Sequence, residues 1–67
     1  MEIHNFPIKL DSFLKLAVGL TGGEAKFAIQ TGRVMVNGSI CTQRGRALVV
    51  GDYVEFVNER FEVEAGT

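Results

Sequence analysis

The sequence predicts an α+β domain in which a two-helix hairpin packs on one face of a small, mostly antiparallel sheet of four to five short strands. Three observations predict it. Apolar residues recur at helical spacing between residues 10 and 32, with glycines at the stops. After Arg33 the period drops to two and an Asn37-Gly38 pair follows, the strongest short-range hairpin signal. Beyond it, Gly, Asp and Asn punctuate short alternating runs almost to the C-terminus.

The first helix is expected in "LDSFLKLAVGL", where Leu10, Phe13, Leu14, Ala17 and Val18 form one apolar stripe and Gly19 is a stop. Asp11 and Lys15, four apart, suit a supporting pair on another face. The second helix is expected in "TGGEAKFAIQTG", with Ala25, Ala28 and Ile29 on one stripe and Gly32 as terminator. Thr21 and Glu24 fit a capping box, in which hydroxyl and carboxylate satisfy each other's free backbone N–H groups.

In "RVMVNGSICT", Val34 and Val36 alternate with Arg33 and Met35 and lead into the Asn-Gly turn. The run "ALVVGDYVEFVNERFEVEA" reads as a strand, a Gly51-Asp52 turn, a strand with Val54 and Phe56 on one side, a turn at Asn58-Glu59, and a last strand. That last strand alternates Phe61 and Val63 with Glu62 and Glu64.

Sixty-seven residues suit a single domain over 1–67, with 46% hydrophobic residues and a correspondingly thin core. Such a chain has no room for a cofactor domain or a deep catalytic cleft, and no cofactor is expected. Cys41 is the lone cysteine, so no intrachain disulfide forms and a reduced cytoplasmic compartment fits best. The start of the chain lacks a secretory-signal pattern, and no apolar run is long enough to span a membrane.

Charge is polarised along the chain. Through residue 46, six cations (Lys9, Lys15, Lys26, Arg33, Arg44, Arg46) face Glu2, Asp11 and Glu24, a net of +3. After it, Arg60 faces Asp52, Glu55, Glu59, Glu62 and Glu64, a net of −4. Such polarity suits one electropositive face and one solvated face.

Gly22 and Gly23 fall in the first turn of the second helix, where glycine costs roughly 1 kcal/mol against alanine. Two readings fit. Bare N–H groups at a positive helix end let a phosphate approach, or a tight inter-helix turn needs glycine for its backbone. Lys26, Gln30 and Arg33 then continue a polar stripe toward the hairpin, and Arg44 and Arg46 flank Gly45 in a loop suited to phosphate contact. Each of these also fits an ordinary solvated surface.

Catalytic chemistry has little support. His4 is the only histidine and has no second ligand at metal spacing, and Cys41 in a strand reads as a structural thiol. Glu55, Glu59, Glu62 and Glu64 read as outward rungs of the sheet, and the phosphate-binding G-x-x-x-x-G-K-[ST] loop is missing.

The run "TGGEAKFAIQTGRVMVNG" followed by "GDYVEF" resembles the RNA-binding domain named after ribosomal small-subunit protein four, in its short stand-alone bacterial branch. The resemblance covers residues 8–57. It rests on Lys9-Leu10-Asp11, Thr21, Ala25, the run Ile29, Gly32, Val34, Val36, Asn37 and Gly38, and the pair Gly51-Asp52. Where many members carry arginine after the hydroxyl residue this chain has Gly22, and Met35 and Ser39 stand at positions that are often basic.

The resemblance implies an alpha-L motif fold, a helical hairpin on a small sheet, that binds structured RNA such as ribosomal or transfer RNA without catalysis. It implies contacts at Lys9, Thr21, Lys26, Gln30 and Arg33, beside the candidates Gly22, Gly23, Arg44 and Arg46, with Asn37 and Gly38 shaping the hairpin. It also implies company with ribosomal or RNA-processing proteins. Shape recognition of folded RNA is favoured over base stacking, because Tyr53 and the five phenylalanines mostly fall at expected core positions. The alternative is a protein-interaction module that keeps the fold and offers its acidic last third to a basic partner. Duplex DNA binding lacks a recognition helix rich in Arg, Asn and Gln.

Overall fold

The computed structural model describes residues 2–3 and 7–65, and the side chains of residues 7–64. His4 and Phe6 lie outside the described residues.

Helix α1 spans Leu10–Ala17 because Leu10, Phe13 and Leu14 form one buried stripe. Lys9, at its N-cap, gives no side-chain cap. Its free N–H groups are satisfied from a distant loop instead: Leu10 donates to the Arg46 carbonyl at 2.9 Å and Asp11 to the Arg44 carbonyl at 3.3 Å. The helix stops at Val18, and Gly19 turns the chain at φ +86°.

Helix α2 spans Gly22–Gln30 and has both halves of its capping box: Glu24 N–H donates to Thr21 Oγ1 at 3.1 Å, and Thr21 N–H donates to Glu24 Oε1 at 2.9 Å. It ends in a Schellman motif. Gly32, at φ +75°, donates to the Ile29 carbonyl and Arg33 to the Ala28 carbonyl. Ala25, Ala28 and Ile29 are buried against α1 and the sheet.

Eight short strands complete the described chain: β1 (Glu2–Ile3), β2 (Ile8–Lys9), β3 (Val34–Val36), β4 (Ser39–Ile40), β5 (Ala47–Leu48), β6 (Tyr53–Phe56), β7 (Glu59–Glu62) and β8 (Glu64–Ala65). The main sheet is four-stranded and antiparallel, in the order β4-β3-β6-β7. Two-residue ladders pair β2 with β5 antiparallel and β1 with β8 in parallel. The helical hairpin on a small antiparallel sheet is therefore the architecture that the sequence patterns indicate.

Several boundaries differ from expectation. β4 stops at Ile40, so Cys41 lies just past a strand and not in one. The last strand is broken at Val63, whose N–H turns to the Asp52 carbonyl between β7 and β8. The strand expected over residues 47–50 stops at Leu48, and Val49 and Val50 are exposed in a turn closed by Asp52 N–H to the Val49 carbonyl. Gly51 supplies that turn's positive φ of +99°. The last hairpin turns at Val57-Asn58, one residue before the expected Asn58-Glu59, with both residues left-handed at φ +53° and +61°. Directly opposed residues share a face, so Glu59, opposite Phe56, lies on the helix side at the sheet's end and is not an outward rung.

The core is wholly apolar among the described residues, joining the two helix stripes to Val34, Val36, Val54, Leu48 and Val63. Cys41 is buried with them as a free thiol. No helix among the described residues is long and apolar enough to cross a membrane.

Candidate nucleic-acid interface

All nine sequence-nominated residues are solvent-exposed, and the structure sorts them into two groups. Thr21, Gly22, Gly23, Lys26 and Gln30 lie along α2, with Arg33 just past its end. Lys9, Arg44 and Arg46 gather at the start of α1. The carbonyls of Arg44 and Arg46 cap that helix there, and Lys9 pairs with Ala47 across the β2-β5 ladder.

At the start of α2, neither Gly22 nor Gly23 has a positive φ, and a side chain at either would meet nothing within 4 Å. The inter-helix turn places its conformational demand on Gly19. Neither backbone conformation nor packing therefore requires glycine at 22 or 23. The Thr21 backbone N–H, and secondarily its hydroxyl, hold the Glu24 carboxyl below its ordinary pKa, so it stays ionised within its cap.

Arg33 does not extend a helical stripe. The Schellman turn redirects it, and its guanidinium lies 5.8 Å from the centroid of the Phe27 ring. Phe27 is the residue the sequence reading passed over: it is 62% exposed, against the expectation that the phenylalanines mostly fill the core. Its position carried a signal. At 100° per residue, Phe27 lies about 200° from both Ala25 and Ile29, opposite the buried stripe.

Beside Phe27 runs a groove of ≈ 770 Å³ between α2 and the β6-β7 hairpin. Leu20, Phe27, Met35, Phe56 and Val57 give it an apolar lining, and Gly23, Glu24, Arg33, Glu55 and Asn58 add polar groups or open backbone.

Asn37 and Gly38 do shape the hairpin, with φ of +51° and +85° as a tight antiparallel turn requires. Asn37 is also bonded to Asp52 and to the backbone of Tyr53. The Asn-Gly and Gly-Asp segments thus meet as one structural corner.

A profile of the S4 domain matches residues 1–64. Among curated proteins nothing matches. Among solved structures, a crystal structure of a pseudouridylate synthase superposes with a TM-score of 0.77 at 31% identity, over 82% of this chain. The chain spans only 24% of that enzyme's length. Sequence profile, fold and helix-hairpin geometry agree, and the chain belongs to the S4 domain family, whose members are RNA-binding modules.

Proposed function

We propose that this chain is a non-catalytic cytoplasmic module that holds structured RNA, ribosomal or transfer RNA, through its phosphates. Thr21, Gly22, Gly23, Lys26, Gln30 and Arg33 form one contact surface, and Lys9, Arg44 and Arg46 a second at the start of α1. Ribosomal or RNA-processing proteins are its natural company.

The observation that carries this reading is the pair of glycines. They weaken the first turn of a properly capped helix and answer no need of the fold. What they leave is the Gly22 and Gly23 N–H groups, open beside the Thr21–Glu24 cap at the positive end of the helix dipole. Lys26 adds charge on α2 and Arg33 adds it just past the helix's end, while the capped start of α1 gathers three more cations.

A titration against a transfer RNA and a ribosomal RNA stem at two salt concentrations tests this. The wild type is expected to bind with strong salt dependence, because each neutralised phosphate releases counterions. Lys26→Ala and the double variant Arg44→Ala/Arg46→Ala should each weaken binding and flatten the salt slope, by about one per lost phosphate contact. A wild type that binds neither RNA at low salt would contradict the reading and favour the protein-interaction alternative.

A further inference from the structure

Apolar side chains line the groove between α2 and the β6-β7 hairpin from both sides. Leu20 and Phe56 are half-buried in it and packed against the core. Phe27 on α2 and Val57 at the hairpin turn border it in the open, two of the three most exposed large apolar side chains among the described residues. Single exposed apolar residues need no explanation, but a contiguous patch rimmed by polar groups marks an interaction surface.

The charges on this groove have an order. Glu24 comes one turn before Phe27 on α2, and Arg33 follows past the helix end with its guanidinium 5.8 Å from the Phe27 ring centroid. The groove therefore runs from acid, at the start of α2, through an aromatic ring to a base at its end. Glu24 is held ionised, and its cap uses only Oε1, which accepts from the Thr21 N–H. Among the described residues neither Glu24 nor Arg33 forms an ion pair.

A surface that meets its own copy across a two-fold axis has to be self-complementary. An acid–aromatic–base order meets that condition. Turned end for end about Phe27, it sets ring against ring and each Glu24 opposite the other copy's Arg33. A phosphate would be repelled by Glu24 and a purely basic partner by Arg33, whereas a second copy offers both charges in the reverse order.

We infer that this groove is a two-fold interface between copies of this chain, with the two Phe27 rings at its centre and reciprocal Glu24–Arg33 ion pairs at its ends. The interface does not depend on the RNA reading. At 100° per residue, Gly22 and Lys26 each lie about 160° round α2 from Glu24, so the pairing leaves both facing outward. A dimer of this kind carries two copies of that surface, with Arg33 bordering both.

The test is sedimentation equilibrium of the purified chain, without RNA, from about 1 µM to about 1 mM. Wild type is expected to pass from monomer to dimer across that range. Phe27→Ala, a change at an exposed position, should weaken dimerisation roughly tenfold or more, the scale of losing a central aromatic anchor. Arg33→Glu and Glu24→Arg should each stay monomeric alone, because each sets like charges opposite one another. An equimolar mixture of the two should dimerise, since one chain then carries both acids and the other both bases. Glu24→Arg also removes half of the cap, so circular dichroism checks its fold, and Phe27→Ala decides independently of it. A wild type that stays monomeric to about 1 mM would overturn the interface, as would a dimer that Phe27→Ala leaves unchanged. Folded charge variants that do not pair on mixing would overturn the two-fold order of charges.

Discussion

Asn37 and Asp52 lock two turns to each other through three hydrogen bonds. The Asn37 amide donates to Asp52 Oδ1 at 3.1 Å, Val49 N–H donates to Asp52 Oδ2 at 3.0 Å, and Tyr53 N–H donates to Asn37 Oδ1 at 3.0 Å. The Val49 N–H, then the Asn37 amide, hold the Asp52 carboxyl below its ordinary pKa. A depressed carboxyl stabilises the fold above its unfolded-state pKa, and that contribution is lost as pH falls through the folded-state value. Wild type should therefore exceed Asp52→Ala in melting temperature at neutral pH, and the gap should close below pH ~4. A gap independent of pH between 7 and 3 would show that the ionised carboxylate is not what the corner uses. The sequence marked Asn37 and Asp52 as turn residues, but a contact across 15 positions leaves no local periodicity by which to pair them.

Among the elements, α2 was the most legible. Its capping box, buried stripe and glycine stop are all short-range patterns, and each is present in the structure. The last hairpin was read one residue late for a physical reason. Asn58 is a natural left-handed residue, whereas Val57 beside it is not, so turn chemistry favoured shifting the loop toward Glu59. Tertiary packing decided otherwise: the actual register sets Phe61 opposite Val54 on the core face. Two substitutions should move stability in opposite directions. Val57→Asn should stabilise by about 1 kcal/mol by relieving the left-handed valine, and Thr21→Ala should destabilise by about 1 kcal/mol through loss of the cap. Thermal or urea unfolding of the two variants beside wild type checks both, and a destabilised Val57→Asn would show that the valine side chain supports the fold.

Over the whole molecule, a small apolar core holds the two exposed groups proposed as RNA contacts in place. Of those, the α2 group was partly readable, because helix spacing locates Lys26 and Gln30. The α1 group was readable only as separate pieces, since the link from Arg44 and Arg46 to Lys9 runs through backbone carbonyls that carry no side-chain signature. A domain of this size has only a few kcal/mol of stability to spare. Glycines that weaken a helix without serving the fold are therefore the strongest sign that the start of α2 meets a partner. The most direct measurement is made on Gly22→Ala/Gly23→Ala, recording melting temperature and affinity for a structured RNA on the same sample. The melting temperature should rise, since each alanine favours the helix by up to about 1 kcal/mol, while RNA affinity falls several-fold because the new methyl groups hold phosphate away. A variant that is more stable and binds RNA as tightly as wild type would contradict a phosphate contact at the helix start.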